Sequence, residues 1–187
     1  MRVIAGKYKG RQLRTVADLS VRPATGRVKG SVFNILQNRV DWTEAKVLDL
    51  FAGSGGLGIE ALSRGARQVV FVENSKRAVV YLNENIEAVG GPAAGCEIIA
   101  ADVFEYLARP RASFDVVFAD PPYEFEVLSR LPSLIFQSGV VSPEGYLIIE
   151  HPVHLRFDQS PLWKAAVVRK YGRTVVTFFQ SQHESRP

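Results

Sequence analysis

From Lys46 onward the chain alternates short apolar runs with stretches of helical spacing, and that alternation leaves few folds open. Val47–Phe51, Gln68–Glu73, Glu97–Ala101, Phe114–Ala119 and Tyr146–Glu150 read as strands. Gly58–Arg64, Lys76–Val89, Val103–Leu107 and Glu126–Gln137 read as helical pieces between them. A succession of βα units predicts an α/β fold, a doubly wound and mostly parallel sheet with helices on both faces. The rhythm changes at the end, where Ala165–Lys170 and Thr174–Gln180 flank Tyr171-Gly172-Arg173. Two β-rich runs across a short glycine-containing turn predict a C-terminal hairpin, bringing the sheet to seven strands. At 187 residues, 47% of them hydrophobic, the chain suits one domain with a sizeable core and at most a small appendage.

Several function classes fall away on composition. One cysteine, Cys96, excludes a disulfide framework and a cysteine-based metal site, and three scattered histidines have no zinc spacing. No metal is therefore expected, and Cys96 reads as a small core residue. The sequence has no apolar run of membrane-spanning length, and its basic start lacks the apolar core of a signal peptide. The expected location is cytoplasmic, with no membrane partner.

Charge is concentrated at one end. Residues 1–29 hold Arg2, Lys7, Lys9, Arg11, Arg14, Arg22, Arg27 and Lys29 against Asp18 alone, within a chain whose net charge is +4. Such one-sided basicity is the footprint of a polyanion partner. Val3, Ile4, Tyr8, Leu13 and Val16 interleave with the cations, so residues 1–26 read as an ordered arm or small hairpin turning near Gly6 and Gly10. Those eight cations are the candidate phosphate contacts. The remaining domain, 27–187, opens on a helix over Arg27–Arg39 with a core-facing stripe of Val28, Val32, Phe33, Ile35 and Leu36.

The strand ends supply the chemistry. In open α/β sheets ligands bind outside the carboxyl ends of the strands. The first strand ends in Asp49-Leu50-Phe51-Ala52-Gly53-Ser54-Gly55, with glycines that let the backbone approach a ligand and N–H groups exposed where a helix starts. Glu73, followed by Asn74, ends the second strand, where an acid can accept both hydrogens of a ribose diol. Asp102, followed by Val103, lies past the third, suited to an adenine amine. Gly53 to Gly58 also matches the dinucleotide fingerprint G-x-G-x-x-G, which alone would suit a nicotinamide enzyme. Asp49 counts against a pyrophosphate and favours an ammonium group. Ribose, adenine and a cationic amino-acid tail together describe S-adenosylmethionine.

The fourth strand ends in Asp120-Pro121-Pro122-Tyr123, an acceptor site for a flat amine. Two prolines fix φ and remove two N–H groups, leaving outward carbonyls. An Asp oxygen and a proline carbonyl can each accept one hydrogen from an –NH₂ group while the tyrosine ring stacks on its plane. Nucleobase amines fit: guanine N2, adenine N6 or cytosine N4. A non-catalytic RNA-binding assembly factor on the same fold is the alternative from another class.

With those residues placed, the chain resembles the class I S-adenosylmethionine-dependent methyltransferases. Among them it resembles the RsmD family of bacterial 16S ribosomal RNA guanine-N2 methyltransferases. The likeness rests on the opening Arg2-Val3-Ile4-Ala5-Gly6-Lys7-Tyr8-Lys9-Gly10-Arg11-Gln12-Leu13, on Arg22-Pro23-Ala24-Thr25, and on Arg27-Val28-Lys29 with Val32 to Leu36. It continues through Asp49 to Gly55, Glu73-Asn74 and Asp120 to Tyr123. Gly30 stands where the family usually has Glu, and Arg22-Pro23-Ala24-Thr25 loosens its usual Arg-Pro-Thr. The resemblance implies methyl transfer to a guanine N2, a substrate within an assembling small ribosomal subunit, and a monomer without an obligate protein partner.

Overall fold

Strand residues here alternate between two hydrophobic faces, and each face is covered by its own helices. The computed structural model describes residues 1–15, 26–91, 95–122 and 126–182. Seven strands form one sheet: β1 (Lys46–Leu50), β2 (Gln68–Val72), β3 (Cys96–Ile99), β4 (Phe114–Ala119), β5 (Val141–Pro152), β6 (Trp163–Tyr171) and β7 (Thr174–Ser181). Their order is β3-β2-β1-β4-β5-β7-β6. The pairs from β3 through β5 are parallel, and β7 alone runs against its neighbours.

Val47, Val69, Phe71, Val116, Phe118, Ile148 and Phe178 pack on one face against α1 (Gly26–Leu36), α2 (Gly56–Ser63) and α3 (Lys76–Glu87). Leu48, Leu50, Val70, Val72, Val117, Leu147, Ile149 and Phe179 pack on the other against α4 (Val103–Ala108) and α5 (Leu131–Gln137). The period of two that strands impose thus produces both cores at once. Because β1, β2 and β3 extend one way while β4 lies on the other side of β1, the chain reverses direction between β1 and β4. In open α/β sheets such a reversal leaves the ligand crevice on the carboxyl edge.

Local chemistry explains where elements end. Ser75 caps α3 by accepting from the Ala78 N–H at 3.3 Å. The helix expected over Glu126–Gln137 is divided into a 3₁₀ turn, Leu128–Arg130, and α5. Pro132 lies in the first turn of α5, where its missing N–H costs nothing and its ring disfavours helix just before it. β5 starts earlier than the sequence indicates. Val141 pairs with Phe114 and Tyr146 with Val116, so residues 142–145 bulge, and Pro143 and Gly145 lie in the irregular stretch. Cys96 is half-buried on edge strand β3 rather than in the core.

The basic arm is bolted down. Arg2 pairs antiparallel with Gln12 in a single bridge, Gly6 and Gly10 have positive φ, and Val3 and Leu13 are buried in the α1–α3 core. Glu60 of α2, fully buried, accepts from the Ile4 and Ala5 N–H groups at 2.7 and 3.0 Å. It also meets Lys29 Nζ at 3.2 Å and Arg64 Nε at 3.0 Å. Ser63 Oγ accepts from the Tyr8 N–H at 2.9 Å and donates to the Ala5 carbonyl. Asn85 of α3 binds both backbone groups of Arg14 and donates to the Ser54 carbonyl at 2.9 Å, so this one side chain links the arm to the glycine turn.

Candidate active site

Asp49, in the middle of three parallel strands, is paired in register with Phe71 and Phe118 and is only 2% exposed. Its carboxylate accepts from the Gly58 N–H at 2.8 Å. Burial, with a smaller contribution from the nearby Glu73 charge, pushes its carboxyl up to about 7. No ion pair reaches it among the described residues. A buried carboxylate without a cation among the described residues suits a positive group of a ligand.

The turn above Asp49 is built on unusual backbone. Phe51 has φ 56°, a left-handed conformation that bulky residues avoid. Gly53 (φ 55°) and Gly55 (φ 84°) follow, and a Cβ on Gly53 would meet nothing within 4 Å. Glu73 fixes this turn: one carboxylate oxygen accepts from the Gly53 N–H at 2.7 Å and the other from the Ser75 N–H at 2.8 Å. The Ala52 N–H reaches the Val72 carbonyl at 3.1 Å, and Ala52 is buried. Asn74 beside Glu73 is exposed. Asp102 caps α4, accepting from the Phe104 N–H at 2.8 Å and, weakly, from Glu105 at 3.4 Å. Val103 behind it is buried. Asp102 retains an oxygen for a ligand, since its Oδ1 makes both contacts.

Across the crevice, Asp120 follows β4 directly, half-buried, with Pro121 buried behind it and Pro122 exposed. Its carboxyl is held well above the ordinary range by burial and by the charges of Glu150 and Asp49. Sequence reasoning does not single out Glu150. Ala119 pairs with Ile149, so Asp120 and Glu150 stand one step beyond that pair on adjacent strands. The strand-end rule that finds Glu73 also finds Glu150, which closes the run Tyr146–Glu150. Val16, Arg22 to Thr25 and Tyr123 lie outside the described residues. No group of three or more potential metal ligands occurs among the described residues.

The arm's cations divide. Arg2, Lys7, Lys9, Arg11 and Arg27 are exposed. Lys7 lies over the Tyr8 ring at 5.3 Å. Arg14 is exposed but bonded to Glu84 at 2.6 Å. Lys29 corrects the sequence reading: it is 1% exposed, not an RNA-facing cation. It binds Glu60, the Arg2 carbonyl at 2.9 Å and the Gly56 carbonyl at 3.3 Å, and burial lowers its pKa. Its position explains why, since residues 29, 32, 33 and 36 form one buried stripe of α1.

The strand order, with a glycine turn after β1 and acids ending β1, β2 and β4 along one crevice, defines a class I methyltransferase fold. Residues 1–180 match the family model described as Conserved hypothetical protein 95, and the chain belongs to that family, the RsmD family. Ribosomal RNA small subunit methyltransferase D of Haemophilus influenzae is 36% identical, over 80% of this chain and 78% of its own. The protein of that name from Escherichia coli K12 is 31% identical, over 97% of this chain and 90% of its own. A solved structure of a hypothetical protein from Thermus thermophilus, 32% identical, superposes with a TM-score of 0.82, covering 96% of this chain and 99% of the other.

Proposed function

We propose that this chain transfers a methyl group from S-adenosylmethionine to the exocyclic N2 amine of a guanine in small-subunit ribosomal RNA. The observation that carries the reading is the place of Asp120, half-buried directly after β4 beside Glu150, on the strand adjacent to β1 and its glycine turn at the switch point. The relatives named as small-subunit rRNA methyltransferases support the substrate class.

The residues present fit the cofactor. Asp49 would take its ammonium group, Glu73 its ribose hydroxyls, and Asp102 and Val103 its adenine, with the turn Phe51-Ala52-Gly53-Ser54-Gly55 and Asn74 lying against the rest; the Ala52, Gly53 and Gly55 N–H groups are already donated within the protein and hold that turn in shape. When bound it supplies a methyl group on a good leaving group, so the protein's work is positioning and electrostatics. The guanine amine donates its hydrogens to Asp120 and the Pro121 carbonyl, with Pro122 stiffening the turn and Tyr123 stacking on the base. As nitrogen gains the methyl it must lose a proton. A carboxyl whose affinity for protons is raised by Glu150 and burial is suited to receive it. The base must be unpaired or turned out of its stack to enter. Exposed Arg2, Lys7, Lys9, Arg11 and Arg27 offer phosphate contacts, with Arg22 and, after release from Glu84, Arg14. Work on ribosomal RNA implies the cytoplasm, and we read the active form as a monomer. Among the described residues no helix is long and apolar enough to cross a membrane.

The Asp49 carboxyl gives a pH prediction. Its pKa of about 7 lies above the ordinary 3.8. The folded chain therefore binds this proton more tightly than the unfolded chain, and Asp49 costs the ligand-free protein stability as pH rises from about 4 to 7. A cationic ligand needs the charged form. Cofactor affinity should fall about tenfold per pH unit below 7 and level off above 8, by calorimetry. In Asp49→Asn the affinity should be weak and flat across that range.

The function itself is tested in cells lacking the gene. Mass spectrometry of small-subunit rRNA should reveal one N2-methylguanosine lost and then restored by the wild-type chain. Loss of a methylated adenine or cytosine instead would overturn the guanine assignment.

A further inference from the structure

We infer that the β6–β7 hairpin is a second RNA-contacting surface, gripping phosphates on the side of the acceptor site away from the cofactor. The inference rests on the rRNA methyltransferase reading above. Its first support is topology. β7 reverses direction, so the turn between Tyr171 and Thr174 lies beside the carboxyl end of β5, with Pro152 paired to Thr174. The Val153 N–H donates to the Arg173 carbonyl at 3.0 Å. The hairpin tip therefore shares the sheet edge that holds Asp120. Counting β4, β5, β7 and β6 at about 4.8 Å per strand puts the tip about 14 Å from Asp120, the reach of two or three nucleotides.

Charge is the second support. Residues 153–182 contain Arg156, Lys164, Arg169, Lys170 and Arg173 against Asp158 alone, a bias hidden in the sequence by the acidic remainder of the domain. Arg156, Arg169, Lys170 and Arg173 are exposed at or near this edge, and none forms an ion pair among the described residues. Arg156 uses one guanidinium nitrogen on the Val153 and Leu155 carbonyls and Arg169 uses one on the Val168 carbonyl, which leaves further donors for phosphate. Third, the tip is braced: the Tyr171 hydroxyl hydrogen-bonds to Ser31 of α1, the helix whose first turn carries exposed Arg27. By contrast, Lys7 is held where its N–H meets the Ser63 carbonyl at the far end of α2, about 12 Å along the helix from the glycine turn. Cations at the arm's turn thus face the opposite edge from the acceptor.

The test is Arg169→Gln/Lys170→Gln/Arg173→Gln. Binding of small-subunit rRNA is measured across a salt series, alongside cofactor affinity and melting temperature. Each lost contact to single-stranded RNA should flatten the log–log salt slope by about 0.7, so three remove about 2. KM for RNA should rise at least tenfold, with cofactor affinity and melting unchanged. Should the triple variant melt early, Arg173→Gln alone decides, with an expected slope change of about 0.7. An unchanged slope and KM in a chain that still methylates RNA would overturn the inference and leave the function standing. Weakened binding to assembled subunits with naked RNA unaffected would also overturn it, since the partner would then be a ribosomal protein. A wild-type chain that methylates no RNA overturns both.

Discussion

Asp120→Ala is expected to lower kcat by about 100- to 1,000-fold while cofactor affinity stays within a few-fold, the cost of losing one preorganised electrostatic partner in a half-buried site. The same change should stabilise the protein. Asp120 sits beside Glu150 and Asp49 and its proton affinity is raised by both charges and by burial. A carboxyl raised in the folded state costs stability once pH exceeds its unfolded value, near 3.8, so removing it should raise the melting temperature at pH 7. Activity lost and stability gained at one position would mark strain kept for chemistry. Near-normal turnover with unchanged RNA binding would contradict the acceptor role.

Glu60→Ala should be the most damaging single change outside the crevice, at about 3–5 kcal/mol. It leaves Lys29, 1% exposed, without its counter-ion, Arg64 without its partner, and the Ile4 and Ala5 N–H groups without acceptors. For a chain of this size the loss corresponds to a fall in melting temperature on the order of 10 °C. Residues 1–15 should also become open to protease, because Glu60 and Ser63 fasten the arm to α2. A urea-unfolding loss below about 1 kcal/mol would show that the buried charges find other partners.

Much of this was legible in the sequence because strand ends announce themselves. Apolar runs stop at Glu73 and Asp120, Asp49 interrupts another one residue before its strand ends, and parallel sheets bring such ends to one edge without knowledge of any contact. The hairpin was legible for the same local reason, its turn at Gly172 having φ 62°. Long-range pairings were not. Glu60 follows Lys29 by 31 positions, and only α1 lying over α2 makes them partners. A clue existed, since Lys29 falls on the stripe of Val32, Phe33 and Leu36, where a lysine without a buried acid would be untenable. Asn85 tying Arg14 to Ser54 had no local signal at all. The hairpin cations leave no mark on the domain's net charge, because the acids of the preceding βα units outweigh them.

The central claim is methyl transfer to a guanine amine, and purified components test it most directly. The chain would be incubated with methyl-labelled S-adenosylmethionine and unmodified small ribosomal subunits, with naked 16S rRNA in parallel, and the RNA digested to nucleosides. Label is expected in N2-methylguanosine at a single site, and its rate of incorporation should fall about 100- to 1,000-fold with Asp120→Ala. Label in another base, or no label although the cofactor binds, would contradict it.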